Sequence, residues 1–266
     1  SKIVEFIGQS YFEPFLCDSF LQPNISVKVT LNRSEAPFYM LQNDTTKGEE
    51  YKFQITKISL ICPMVTLTDS LLPFVQTLTE NAPGRYKFLS YEMRTFTIPS
   101  QSSLVNLPHL FNERVPSRLL LCFFKQTAFM GDKLDTPFIT ASDFKLRSIK
   151  LYLNGIVVRE FRPTMGDNDY TEDYLAFAKF ARTENNTFCV DIDKYRRGST
   201  FFAADLLQNC DSPHTMQASL LSGYMALDVE LEEQSTSPMI MLVVGMNASS
   251  FDCDRHNHVR FARGVV

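Results

Sequence analysis

The chain has 266 residues, 44% of them hydrophobic and 21% charged, and a net charge of −4. That length and composition suit one large β domain or two small ones with a sizeable core, and exclude a disordered, fibrous or low-complexity chain. The acidic balance argues against a large nucleic-acid footprint, which needs clustered Lys and Arg, and no stretch reaches the ~20 apolar residues of a membrane-spanning helix.

The N-terminal run SKIVEFIGQS lacks the long apolar segment and small-residue cleavage site of a signal peptide, so export is not encoded there. ISVKVTL alternates Ile25, Val27, Val29 and Leu31 with Ser26, Lys28 and Thr30, which predicts a half-buried strand. A further strand is expected at 36–41. YKFQITKISLIC carries Tyr51, Phe53 and Ile55 on one face, then changes parity to Ile58, Leu60 and Cys62; this predicts a strand with a bulge at Thr56-Lys57. In DSLLPFVQTLTE, Leu71, Val75 and Leu78 share a helical face, Asp69 can cap, and Pro73 must lie in the first turn.

Residues 86–98 read as a strand. RLLLCFF (118–124) and MIMLVVGM (239–246) are continuously apolar, as a strand covered on both faces would be. SIKLYLNGIVVRE (148–160) is two strands joined by the two-residue turn Asn154-Gly155, the sequence a type I′ turn requires. Such a turn pairs Leu151 with Val158 and Lys150 with Arg159, placing Leu151, Leu153, Ile156 and Val158 on a core face. Lys150 and Arg159 then confront each other across the ladder, so an acidic neighbour or a subunit contact is expected beside them.

NDYTEDYLAFAKFAR predicts a second helix: Tyr170, Tyr174, Phe177 and Ala181 form one stripe, with Glu172 and Asp173 at its start and Lys179 and Arg182 at its end. KYRRG (194–198) reads as a short solvated turn, FFAADL (201–206) as a strand. In MALDVELEE, Met225, Leu227, Val229 and Leu231 point inward, while Asp228, Glu230 and Glu232 form a solvated acidic row. The sum is an all-β antiparallel jelly-roll sandwich of about eight to ten strands with two short inserted helices. Without a linker, repeat or charge block, 1–266 reads as a single domain.

Chemistry-bearing residues are sparse. Six cysteines (Cys17, Cys62, Cys122, Cys189, Cys210, Cys253) stand singly, which favours reduced, structural thiols, with Cys62 and Cys122 set in apolar runs. Of the four histidines, His109 and His214 lie in loop-like stretches with no companion. The weak metal candidate is DCDRHNH, where Asp254, His256 and His258 could converge, His256 and His258 pointing the same way on a strand; neither usual zinc spacing is present, and a polar terminal strand or turn is the plainer account of the segment. The acidic run GDNDYTED (166–173) lacks the spacing of a calcium loop, and helix capping accounts for it. No cofactor and no catalytic residue is therefore expected.

Several blocks taken together resemble one family: FLQPNISVKVTLNRS, YEMRTFTIPS, LFNERVPSRLLLCFFKQTAFMGDKLDTPF, IKLYLNGIVV and YRRGSTFFAADL, in that order. They are similar to the C-terminal half of the double jelly-roll capsid proteins encoded by Polinton/Maverick elements and adinto-like viruses. The most specific matches are Thr97-Ile98-Pro99, Val115-Pro116-Ser117-Arg118, and the turn Ala128-Phe129 with Gly131; Asn154-Gly155 stands where the family has a small polar residue and Gly. The resemblance implies a non-enzymatic capsid protein of the virion, made in the host cytoplasm with nuclear assembly open. Its partners would be two further copies in a trimeric capsomer and other capsid proteins. Exposed loops at 41–50, 100–117, 131–142 and 162–170 would supply contacts or an outer tower. NGIVVREFRP is more apolar than the family's turn region, so contacts around the hairpin are expected to differ. A preceding jelly roll is missing, which leaves a fragment, a cleaved half or a single jelly-roll, penton-type minor capsid protein. Other readings are a jelly-roll carbohydrate- or ligand-binding module, which the absence of Trp disfavours, and a cupin-like metal enzyme, which would need about three converging ligands.

Overall fold

A computed structural model of the chain describes residues 3–8, 19–22, 25–32, 53–81, 83–111, 115–130, 145–163, 170–184, 190–198, 200–206, 223–254, 256 and 258–263. They include strands β1 (Gly84–Ile98), β2 (Leu104–Leu107), β3 (Arg118–Lys125), β4 (Leu146–Leu153), β5 (Ile156–Phe161), β6 (Phe202–Asp205), β7 (Met225–Leu231), β8 (Met239–Cys253) and β9 (Val259–Arg263). The helices are α1 (Leu72–Asn81), α2 (Gln126–Phe129), α3 (Thr171–Glu184) and α4 (Ile192–Gly198). The chain forms two compact units: Ser1–Thr30, Ile58–Ser90 and Asn247–Val266 make the first, and Leu31–Lys57 with Tyr91–Met246 the second. The division falls within β1 and within β8.

One sheet has the order β1-β8-β3-β6, with β9 also paired to β8; the other has the order β2-β7-β4-β5. This is the strand order of a jelly roll. Its logic is that of a long hairpin with β4 and β5 at the tip, so that the pairs 4/5, 3/6, 2/7 and 1/8 are nested inside one another. Alternate pairs are assigned to alternate sheets, which gives two Greek keys. The fold class expected from periodicity is the one that forms.

In the second unit, Leu119, Leu121 and Phe123 of β3 face Ile149 and Leu151 of β4, Phe161 of β5, Phe202 of β6, Leu227 and Val229 of β7 and Met241 and Val243 of β8 in one cluster. β3 is hydrogen-bonded along its length to β8 and over its first half to β6. Its Cys122 and Phe124 are buried on the opposite face, so its continuous apolar run reports cover on both sides. β7 alternates buried and half-buried residues without a fault, as its sequence predicts. The first unit has a smaller cluster of Tyr86, Phe251 and Cys253, in which the Tyr86 and Phe251 rings stack with centroids 4.8 Å apart.

Helix α1 starts one residue before Pro73, where a missing N–H costs nothing. The turn into it is held by Leu72 N–H donating to the Thr68 carbonyl at 3.2 Å. Helix α3 buries Phe177 and Phe180, with Tyr170 buried just before it and Glu172 and Asp173 in its first turn, and lies against β6.

Three expectations fail. Residues 25–31 and 53–62 form no strand and pair with none among the described residues, so the bulge at Thr56-Lys57 has no ladder there to interrupt. Alternation signals a half-buried strand only where a partner strand and a core exist; here Val27, Val29, Phe53, Ile55, Ile58 and Leu60 are exposed. Residues 194–198 are part of α4, not a solvated turn, because Tyr195 is a fully buried anchor: its hydroxyl donates to the Phe201 carbonyl at 2.7 Å and its ring packs beside Tyr174 and Phe177. Cys62 is exposed, whereas Cys122 is buried and desolvation pushes its thiol up to about 12. The strand expected at 36–41 lies outside the described residues, as do Cys17, Cys189, Cys210 and His214.

Because Leu151 is fully buried at the sheet interface and Ile156 is 71% exposed, the two ends of the hairpin differ sharply in energetic weight. Leu151→Ala is expected to cost about 2–5 kcal/mol in urea unfolding, and Ile156→Ala less than about 0.5 kcal/mol.

Candidate functional site

The β4–β5 hairpin is the segment in which the sequence concentrates its specific signals. Asn154 and Gly155 take φ of 51° and 81°, both left-handed, as a type I′ turn demands. The turn is clamped to the residues entering β7: Tyr224 N–H donates to Asn154 Oδ1, and Asn154 N–H to the Tyr224 carbonyl, each at 3.0 Å. Gly223, at φ 141°, completes the clamp, since a Cβ there would lie 2.0 Å from Asn154 Oδ1. No sequence signal links Gly223 to Asn154, because the two meet only when β7 pairs with β4. Gly131 lies outside the described residues.

Beyond the turn the register departs from the simple ladder. Leu153 pairs with Ile156 and Tyr152 with Val157, but Leu151 pairs with Arg159 and Lys150 with Glu160. Val158 is an extra residue, a β-bulge, so Lys150 does not face Arg159 as expected. Its acidic neighbour is Glu160, with Nζ and Oε1 3.8 Å apart, and Arg162 reaches the same carboxylate at 2.9 Å. Ile156, Val157 and Val158 are all exposed along β5, an edge strand among the described residues, so Ile156 and Val158 do not lie on the core face as expected.

The acidic row of β7 is not simply solvated. Asp228 accepts from Asn106 Nδ2 at 2.5 Å and from the Tyr152 hydroxyl, a bond that holds the phenol above its usual range. Glu230 accepts from Arg147 at 3.1 Å and from Ser148 Oγ at 3.2 Å. Arg147 can reach it because it is the extra residue where β4 shifts register against β7. The outer face of this sheet is thus a lattice of complementary polar pairs flanking an apolar edge.

Arg159 turns away from Lys150. Its guanidinium stands over the Phe161 ring, 5.4 Å from the centroid, and borders a cavity that also includes Arg118 and Lys179. Sequence reasoning used Arg118 only within a motif match; it is a charged side chain opening an apolar strand, and 1% exposed.

In the first unit, Asp254 organises the turn between β8 and β9. Its Oδ1 accepts the backbone N–H groups of His256 and His258 at 2.9 Å each, and its Oδ2 lies 3.2 Å from His258 Nδ1. These bonds, the His258 N–H foremost, hold its carboxyl below the usual aspartate range. Asp254 therefore serves as a turn cap, with the two imidazole centroids 6.0 Å apart. Among the described residues no three His, Cys, Asp or Glu side chains gather as a metal site. Two residues earlier, Asp252 pairs bidentately with Arg85 at 2.8 and 3.1 Å, which likewise lowers its carboxyl below the usual range.

No protein-family model matches the chain, and no curated protein matches it either. Among solved structures it is similar to the PBCV-1 virus capsid (11% identity, TM-score 0.40, covering 69% of this chain and 52% of that one). It is also similar to the mavirus major capsid protein (7% identity, TM-score 0.38, 70% and 42%). The Sputnik virophage structure is a third (12% identity, TM-score 0.36, 70% and 39%). The chain thus spans about half or less of the length of these capsid chains.

Two measurements follow from this geometry. Gly223→Ala is expected to destabilise by about 1–3 kcal/mol through strain and the clash with Asn154. The loss should be smaller in an Asn154→Gly background, where the clashing amide is gone, a coupling a double-mutant cycle of urea unfolding reads directly. With acid, the stability contributed by Asp252 and Asp254 is present above the ordinary aspartate value of about 3.9 and lost as pH falls through their lower folded values. Asp252→Asn should therefore flatten the fall of the urea midpoint as pH drops below about 4.

Proposed function

We propose that this protein is a viral, or virus-derived transposon, capsid structural protein that builds an icosahedral shell and performs no catalysis. The observation that carries the reading is the complete jelly-roll strand order in a chain whose turn and strand blocks, from Thr97-Ile98-Pro99 through Asn154-Gly155 to the YRRG segment, resemble the Polinton/Maverick capsid family in sequence order. The interior supports it: the space between the sheets is filled by Leu, Ile, Val, Phe and Met side chains, the construction of a rigid shell tile rather than of a ligand cup. The β5 edge supports it further, since an exposed Ile-Val-Val run beside paired charges is suited to burial against a neighbour.

On this reading residues 1–266 act as one jelly-roll domain, the second of a larger double jelly-roll protein. Three copies form the capsomer, assembled with other capsid proteins into the virion after synthesis in the host cytoplasm. The contact edge is β5, flanked by Lys150 on one side and Arg159 on the other. Of the loops expected to supply further contacts, 41–50 and 131–142 lie outside the described residues, as does most of 162–170, while 100–117 holds β2 and buries Leu110, Phe111 and Val115.

Negative-stain imaging of the purified full-length protein should show trimeric capsomers or shells; a monodisperse monomer retained on a sugar column would overturn the reading. Val157→Glu should leave the unfolding free energy in urea within about 0.5 kcal/mol of the parent while reducing the assembled fraction in light scattering. Unchanged assembly would remove β5 from the contact.

A further inference from the structure

Asn154-Gly155 is the one Asn-Gly pair in the chain, and both of its residues are exposed. The dipeptide that suits a type I′ turn is also the one most open to a backbone reaction, because glycine has no side chain to shield its nitrogen. In that reaction the Gly155 nitrogen loses its proton and bonds to Asn154 Cγ, while the Cγ–Nδ2 bond breaks and ammonia leaves. Water then opens the five-membered imide. Attack at Cγ gives aspartate on the original backbone; attack at the Asn154 carbonyl carbon gives isoaspartate, whose main chain runs through Cβ and Cγ.

The folded hairpin opposes ring closure in several ways. Closure needs the Gly155 nitrogen to eclipse Cβ about the Asn154 Cα–C bond. The first central residue of a type I′ turn, the mirror image of type I, has ψ of about +30° instead, which sets that nitrogen nearly opposite Cβ. The φ values of 51° at Asn154 and 81° at Gly155 are those of this turn. The side-chain amide is also held, because its Oδ1 accepts the Tyr224 N–H at 3.0 Å. It lies flat against Gly223, where an added Cβ would sit 2.6 Å from both Cγ and Nδ2. Bringing Cγ onto the Gly155 nitrogen therefore requires the entry to β7 to release the turn, and the rotation of ψ breaks the pairing of Leu153 with Ile156.

We propose that Asn154 is a conformationally gated deamidation site. The clamp from Gly223 and Tyr224 keeps its amide unreactive in the native hairpin, and the imide forms only in molecules whose hairpin has opened. The native rate is then the intrinsic rate multiplied by the open fraction. Isoaspartate adds a carbon to the main chain inside a two-residue turn, which cannot absorb it while Leu153 pairs with Ile156. A chain whose hairpin has opened is thereby marked, and its β4–β5 register does not return.

The full-length protein is incubated in mildly alkaline buffer, with and without urea, and peptide mass spectrometry with separation of the aspartate and isoaspartate forms follows conversion at Asn154. The native protein is expected to convert at least about ten-fold more slowly than the unfolded chain, and hydrogen exchange at the Tyr224 amide to be slowed by at least the same factor. Gly223→Ala, which crowds the amide out of its seat, should raise the native rate about five-fold or more while leaving the rate in urea unchanged. A native rate equal to that in urea, or a Tyr224 amide that exchanges at the unprotected rate, overturns the proposal, and neither measurement depends on a variant folding. An unchanged native rate in a Gly223→Ala protein with the parent circular dichroism also overturns it.

Discussion

A two-residue turn in which both residues must hold positive φ is the constraint on which this jelly roll rests. Asn154 and Gly155 adopt that geometry at low cost, and their turn fixes β4 against β5. Every other strand pair is nested around that tip: β3 with β6, β2 with β7 and β1 with β8. The clamp between Asn154 and Tyr224 couples the tip to the next pair out, because β7 must be entered at Tyr224 for the Asn154 amide to be satisfied. Local backbone chemistry and long-range topology thus meet at one side chain.

Around this frame the two faces of each sheet are treated differently. β3 is enclosed on both faces and bonded on both sides, so it behaves as the rod against which the sandwich is assembled. The outward face of the other sheet instead resolves its charge in place, with Asp228, Glu230 and Glu160 each given donors from neighbouring strands. The long β5–β6 connection carries α3 and α4, and buried Tyr195 anchors α4 to the backbone of Phe201. The bonds among Tyr174, Val190, Tyr195 and Thr200 keep that connection folded on itself.

Much of the fold was legible because periodicity and burial agree wherever a strand has partners. The alternation of Met225 to Leu231, the unbroken apolar runs of β3 and β8, the Tyr170 to Ala181 stripe and the Asn-Gly turn all report a local environment the backbone realises. The failures share a cause. Residues 25–31 carry a strand-like pattern but no ladder among the described residues, since a pattern encodes a face and not a partner. The bulge at Val158 was unreadable because one extra residue in a β-branched run leaves no compositional mark, and it alone determined whether Lys150 met Arg159 or Glu160. The cavity beside Arg159 was hidden for a similar reason: Arg118, Arg159 and Lys179 are far apart in sequence and converge only through the topology. The Arg that opens RLLLCFF was its one visible trace.

On the proposed capsid reading, the bulge has a consequence for the way copies of this chain would add to one another. An edge strand with a regular ladder is a template: a second copy can continue the sheet, a third can continue that, and growth has no natural end. On β5 the extra residue at Val158 interrupts the row of backbone donors and acceptors midway and twists it. A neighbour approaching this edge meets Ile156, Val157 and Val158 as side chains rather than as an open strand. Contacts made by side chains have a preferred angle, and a fixed angle repeated around an axis closes into a ring, whereas continued strand pairing runs on into a fibre.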